Sequence, residues 1–182
     1  WLRLEIWRGG HAHQQTYERG RPLADLEVTG TTKRRGTKVT FKPDPQIFET
    51  TTFSFDTLSQ RLRELSFLNR GILITLEDER DGKKHRFQYE GGISSFVEHL
   101  NRSRQGLHQP PILMSGERKF ESHGGSETPV SIEVALQYNE TYNESVFSFA
   151  NNINTVEGGS HLIGFRTALT RALNRYLTAQ KK

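Results

Sequence analysis

Seven histidines are the first residues that invite a chemical reading. His11 and His13 stand two apart, so a strand would put both rings on one face. A metal needs more than two imidazoles, and no carboxylate stands near them at ligand spacing, so the pattern argues against a metal. His161 falls just inside a helix start and reads as a packing or hydrogen-bonding residue. Serine, histidine and aspartate are all present, but no serine sits in a nucleophile elbow and no triad follows from spacing. Gly91-Gly92, Gly124-Gly125 and Gly158-Gly159 match neither a phosphate-binding P-loop nor a dinucleotide fingerprint. Gly158-Gly159-Ser160 precedes a helix whose N-terminus can attract an anion, although such a pair more often makes only a tight turn. Cysteine is absent, which removes disulfides, thiolate zinc sites and cysteine nucleophiles and fits a reducing cytoplasm.

Net charge is +4 and is shared evenly by the two halves, so bulk charge names no partner. Its local placement says more. Residues 158–182 hold five basic side chains and no Asp or Glu. Such a stretch either faces a polyanion or is a solvated helix face with a basic tail. No run approaches the ~18 apolar residues of a membrane span. The opening residues alternate instead of forming the apolar block of a signal peptide. The length of 182 residues suits one ordinary domain or two small ones.

The elements that must position these residues can be read from periodicity. Leu2, Leu4 and Ile6 alternate with polar or aromatic neighbours, which predicts a strand. Gly9-Gly10 turns the chain, and 11–17 returns as a second strand. A short third strand follows at 26–28, a polar loop at 29–35 and a fourth strand at 36–41. Pro43 and Pro45 end the sheet. Leu58, Leu62, Leu65 and Leu68 share one helical stripe over 56–68, with Thr57 and Gln60 at capping-box spacing, Asp56 as the competing cap and Gly71 as the stop. Segments 72–77 and 84–89 form a hairpin around Asp81-Gly82. Ile93, Phe96, Val97 and Leu100 mark a short helix. The polar, proline-containing stretch 101–111 reads as a boundary between domains. A strand at 112–115 is followed by a polar excursion, 117–129, read as a loop. Val130, Ile132, Val134, Leu136 and Tyr138 alternate so cleanly that one face is expected to be buried. A strand at 146–150 and a long helix capped by Ser160 complete the chain. The helix stripe is Leu162, Phe165, Leu169, Ala172, Leu173 and Tyr176, with Arg171 and Arg175 on the opposite face. Pattern alone therefore reaches an α+β protein with a basic final helix.

Longer motifs carry a resemblance. Arg61-Leu-Arg-Glu-Leu-Ser-Phe-Leu-Asn69, Gly71, Asp81-Gly-Lys83 and Tyr89-Glu-Gly-Gly-Ile93 stand in order. Phe149-Ala-Asn-Asn-Ile-Asn154, Glu157-Gly-Gly-Ser-His161 and Gly164-Phe-Arg-Thr-Ala-Leu-Thr-Arg171 follow them. Upstream stand Thr29-Gly30 and Gly36-Thr37-Lys-Val39. Together these resemble the gyrase B family of type IIA topoisomerases over nearly the whole chain. The B-type component of topoisomerase IV is a close relative with less similar wording. A non-catalytic DNA- or protein-binding module on the same scaffold is the alternative of another class.

The resemblance implies a partial Bergerat-type (GHKL) ATPase α/β sandwich over 1–97, followed over 98–182 by the first part of a ribosomal-protein-like βαβ transducer domain. It implies ATP and magnesium as cofactors of the intact gyrase B protein. It also implies a cytoplasmic enzyme that introduces negative supercoils, with gyrase A, double-stranded DNA and a second copy of gyrase B as partners and no membrane. The family's general base, magnesium ligand, phosphate lid and phosphate-sensing lysine are not found between Trp1 and Lys182. The segment alone is therefore expected neither to hydrolyse ATP nor to bind it tightly, and no catalytic residue is assigned. Gly36, Thr37 and Val39 match the strand that floors the adenine site, and Arg8 matches an arginine at the pocket mouth where flat inhibitors stack. Without the resemblance, Thr37 and Val39 are only alternate positions on a strand. Trp7 and Gly9-Gly10 around Arg8 depart from the family pattern, and 117–129 looks longer than usual. Arg171 and Arg175 are expected to line a DNA-holding cavity, while Arg166, nearer the apolar stripe, is expected to be structural.

Overall fold

The alternation at the start of the chain makes a strand, β1 (Leu2–Arg8), in the computed structural model, which describes residues 1–121 and 127–180. Gly9 and Gly10, both at positive φ, turn it into β2 (His11–Glu18). The chain continues through β3 (Arg21–Pro22), β4 (Glu27–Thr31) and β5 (Gly36–Phe41). Every pairing in this sheet is antiparallel. β1 lies between β2 and β5, while β3 and β4 both pair with β2. The third strand runs further than its apolar residues indicate. Thr31 still pairs with His11, across a register shift between Ala12 and His13, so part of the expected 29–35 loop is ladder. These strands belong to the first of two compact units, Trp1–Ser54; the second is Phe55–Lys182.

The second unit opens with α1 (Phe55–Leu68). It starts one residue before the expected cap, so Asp56 and Thr57 lie within its first turn, where the Asp56 charge favours the helix dipole. Its buried positions are Phe55, Ser59, Ser66 and Phe67; the predicted leucine stripe flanks them and is only half-buried. Gly71 takes the left-handed φ of 73° just past the helix, and its N–H donates to the Tyr89 carbonyl beyond the following hairpin. The hairpin of β6 (Ile74–Asp78) and β7 (Lys83–Phe87) follows. At its turn the Arg80 side chain, and then its backbone N–H, hold the Asp78 carboxyl down to about 2. Next comes α2 (Gly92–Leu100). Phe67 is 1% exposed and gathers this unit: its ring stacks on Tyr89 at 3.7 Å and on Phe96 at 5.2 Å, with His99 tilted at 5.5 Å.

Residues at the start of 101–111, the expected inter-domain stretch, and within it are hydrogen-bonded to residues 137–139. Asn101 Nδ2 donates to Gln137 Oε1 at 2.8 Å, and Asn139 Nδ2 donates to Asn101 Oδ1 at 2.9 Å. Gln137 Nε2 donates to the His108 carbonyl at 2.8 Å. The expected 97/98 division falls inside α2, and the two compact units adjoin in sequence at 54/55.

β8 (Ile112–Glu121) and β9 (Glu127–Leu136) form a ten-residue antiparallel ribbon. Much of the expected 117–129 loop is therefore strand, because ladder bonds use backbone groups and need no apolar side chains. Gly124-Gly125 lies outside the described residues. Met114, Val134, Ile132 and Val130 share one ribbon face by register, yet Ile132 is 44% and Val130 41% exposed. The expected buried face is thus open over the outer half of β9 and half-buried only near Val134 and Leu136. The predicted 146–150 strand shrinks to β10 (Phe149–Ala150), paired with β11 (Ile153–Asn154) across the left-handed Asn151 and Asn152. Last comes α3 (Ser160–Gln180). Its first bond runs from the Ile163 N–H to the Gly159 carbonyl, so Ser160 is the first helical residue rather than the cap.

Candidate functional site

Strand register decides which of the candidate pocket residues meet. Thr37 lies opposite Ile6, which lies opposite His13. Val39 lies opposite Leu4, and Arg8 opposite His11. Directly paired residues project to the same side, and positions two apart along a strand do as well. Arg8, Thr37 and Val39 therefore share one face of the sheet, with Leu4 and Ile6 between them. Thr37 and Arg8 are exposed, and Val39 is 53% exposed. Gly36 lies opposite Trp7 in the other phase, at φ 149°, a conformation suited to glycine. No heavy atom lies within 4 Å of where its Cβ would be, so the backbone there is open to close approach.

This arrangement can do a limited set of things. Val39 offers an apolar surface and Thr37 a hydroxyl, about 7 Å apart along one strand at ~3.4 Å per residue. Arg8 adds a fixed positive charge on the same side. A flat heteroaromatic ring with polar edge atoms fits such a face. His11 and His13, whose rings lie 6.4 Å apart, are joined by no third metal-ligating side chain among the described residues.

The helical candidates sit on α3. Leu162, Phe165 and Leu169 are half-buried, so the predicted stripe packs over the first half of the helix. Beyond it the stripe is uncovered: Leu173, Tyr176 and Leu177 are all exposed. Arg171 and Arg175 are exposed and have no carboxylate partner among the described residues. Arg175 borders a shallow depression with Asn174, Thr178 and Ala179. Arg166 donates to Glu144 at 3.0 Å, an ion pair exposed on both sides. No helix among the described residues is long and apolar enough to cross a membrane.

Two serine–histidine contacts escape sequence reasoning. Ser59 Oγ lies 2.7 Å from His85 Nδ1, and Ser148 Oγ lies 2.6 Å from His161 Nε2. Thr155 Oγ1 donates toward Ser148, so His161 helps tie the β10–β11 turn to the start of α3. The partners in the first pair stand 26 residues apart and in the second 13 apart, on different elements, and no local motif marks them.

Comparison with known proteins places this geometry in a family. The family described as DNA gyrase B matches residues 92–182. The DNA gyrase B protein of Bacillus mycoides is 53% identical over 96% of the chain, which spans 42% of that protein. The DNA gyrase B protein of Halalkalibacterium halodurans is also 53% identical over 96% of the chain, which spans 26% of it. Among solved structures, the 43K ATPase domain of Thermus thermophilus gyrase B, in complex with an aminocoumarin, matches with a TM-score of 0.77 at 35% identity. That match covers 99% of this chain and 47% of that one. The gyrase B structure from Myxococcus xanthus matches with a TM-score of 0.78 at 28% identity, covering 96% and 49%. The chain thus spans less than half of each of these relatives.

Proposed function

The chain belongs to the DNA gyrase B family, and from that premise we propose that it serves an ATP-dependent type II topoisomerase that introduces negative supercoils into DNA. The observation that carries this reading is 53% identity to a gyrase B protein across nearly the whole chain. The finer architecture belongs to the same proposal. Residues 1–97 form the closing part of a GHKL-type ATPase domain and 98–182 the opening part of a ribosomal-protein-like transducer, with the functional boundary on α2.

In this reading Val39 lies against the adenine ring, and the Thr37 hydroxyl holds a hydrogen bond at its edge. Gly36 lets the ring approach the backbone, and Arg8 flanks the mouth. The shared face of Arg8, Thr37 and Val39 supports the assignment. ATP supplies binding free energy for closing a gyrase B dimer over a duplex. Arg8, Thr37 and Val39 include no carboxylate and Gly36 has no side chain, so any carboxylate ligand of the magnesium that accompanies ATP would come from elsewhere. Arg171 and Arg175 meet phosphates of the enclosed duplex, a contact indifferent to sequence. Nucleotide state and gate closure are then coupled as two sites sharing two global states.

The test combines the full-length protein with gyrase A, relaxed plasmid and ATP. Negative supercoils are expected. Thr37→Ala should weaken nucleotide binding by about 2- to 10-fold, the value of one hydrogen bond. Replacing Arg171 and Arg175 with Ala should lower DNA-stimulated ATP hydrolysis and flatten the salt dependence of DNA binding. Relaxation without supercoiling would assign the chain to topoisomerase IV instead. No ATP-dependent change in topology would leave a non-catalytic module.

A further inference from the structure

The order of the first sheet forces one loop into an unusual place. β4 pairs with β2, and β5 pairs with β1 on the far side. The link from β4 to β5, residues 32–35, must therefore cross the end of the β1–β2 hairpin. Its footings are visible: Thr31 pairs with His11 and Gly36 with Trp7, on the two sides of the Gly9-Gly10 turn. The Thr32 N–H donates to the Gly10 carbonyl at 2.9 Å, pinning the arch to the turn, and Thr32 Oγ1 accepts the Arg34 N–H at 3.0 Å.

The arch reads Thr32-Lys33-Arg34-Arg35. It brings three cations to the hairpin end that already carries Arg8. All four are exposed, and none has a carboxylate partner among the described residues. No acidic residue occurs between Glu27 and Asp44. The nearby Lys38 is partly neutralised by Glu5 at 3.5 Å, so the uncompensated charge concentrates on the arch. The Arg34 guanidinium lies over the Trp7 ring, 6.0 Å from its centroid, which restrains it near the sheet.

We propose that this arch, Lys33-Arg34-Arg35 over the Gly9-Gly10 turn, is a contact surface for the phosphate backbone of duplex DNA. A single small anion needs one or two of these cations. Three on one short, doubly anchored arch, with Arg8 on the other face of the same hairpin end, match a ligand that repeats its negative charge along its length. Arginine forks and a lysine are the side chains that position a phosphate backbone. Contacts of arginine and lysine to phosphates fix position without reading sequence. The choice of DNA among polyanions rests on the function proposed above; the cationic convergence does not.

The experiment measures binding of a fluorescent duplex, in two unrelated sequences, to the full-length protein from 50 to 200 mM salt. Lys33→Gln, Arg34→Gln and Arg35→Gln together should reduce the log–log salt slope by about 2–3, at ~0.9 per phosphate contact. Over that range the parent should lose about 40-fold more affinity than the variant. Both sequences should respond alike, and the swap of K33R, R34K and R35K should keep the parent slope. Lys33→Glu alone, checked by its melting curve, should weaken binding and serves if the triple variant does not fold. A parent slope retained by the folded triple variant, or by Lys33→Glu where the triple variant does not fold, overturns the proposal, even in a protein that supercoils DNA. Lost affinity for ATP with unchanged DNA binding overturns it too, assigning the tip to a nucleotide. A flattened slope in a protein that supports no supercoiling keeps the tip and removes the gyrase reading.

Discussion

Replacing Phe67 with Ala tests the packing that organises the second unit. The side chain is 1% exposed and touches three rings from outside its own helix: Tyr89, Phe96 and His99. Truncating a buried phenylalanine costs about 3–5 kcal/mol in transfer and cavity terms. Aromatic pairs contribute a further ~0.5–1.5 kcal/mol each beyond burial. With two stacked partners lost, the upper end is expected, about 5 kcal/mol, comparable to the whole stability of many domains. At an m-value of ~2 kcal/mol/M in urea, that moves the midpoint by about 2.5 M or abolishes the folded baseline. The probe matters. The chain's two tryptophans, Trp1 and Trp7, both lie in the first unit, so their fluorescence does not report this change. Far-ultraviolet circular dichroism or amide exchange in α1 and α2 does. Phe120→Ala, at a position 54% exposed, is the control and should stay within about 0.5 kcal/mol. A loss below about 1 kcal/mol for Phe67→Ala would show that the ring cluster is not the closed core described here.

Two further outcomes follow from single residues. Burial, and then the charges of Arg63 and Arg102, lower the His99 imidazole below its ordinary 6.5, so the unfolded chain takes up the proton first. Stability is full above about pH 6.5 and falls as pH drops below it. His99→Gln should lose less urea resistance between pH 7.5 and 5.5 than the parent, and an equal loss in both would reject the assignment. Gly36→Ala meets no steric neighbour, yet φ 149° should cost it about 1–3 kcal/mol, seen as earlier unfolding by the fluorescence of Trp7, its partner across the ladder. An unchanged transition would mean the backbone relaxes there.

Much of the fold was legible because its signals are local. The alternation of Leu2, Leu4 and Ile6, the helical spacing from Leu58 to Leu68 and the Asp81-Gly82 turn each lie within one element and are found where periodicity put them. The β8–β9 ribbon was half hidden. Its outer strands carry Glu117, Arg118 and Lys119, whose ladder bonds leave no trace in hydrophobicity. The fastening of 101–111 was hidden for another reason: Asn101 meets Gln137 across 36 residues, and amide pairs have no sequence period. The candidate pocket was legible only through resemblance. Parity within a strand puts Thr37 and Val39 on one side, but placing Arg8 beside them requires the β1–β5 register, which the residues of neither strand specify alone.

Within Trp1–Lys182, β5 stands at the sheet margin, open to a further strand. Its outer row of backbone donors and acceptors is unpaired among the described residues, and Val39 and Phe41 are exposed along it. A flat margin of that kind recruits strands from other molecules. Lys42, just past the end of the strand, sets a charge beside that margin, while the Lys38 ammonium within it is paired with Glu5 at 3.5 Å; an added strand would have to accommodate both.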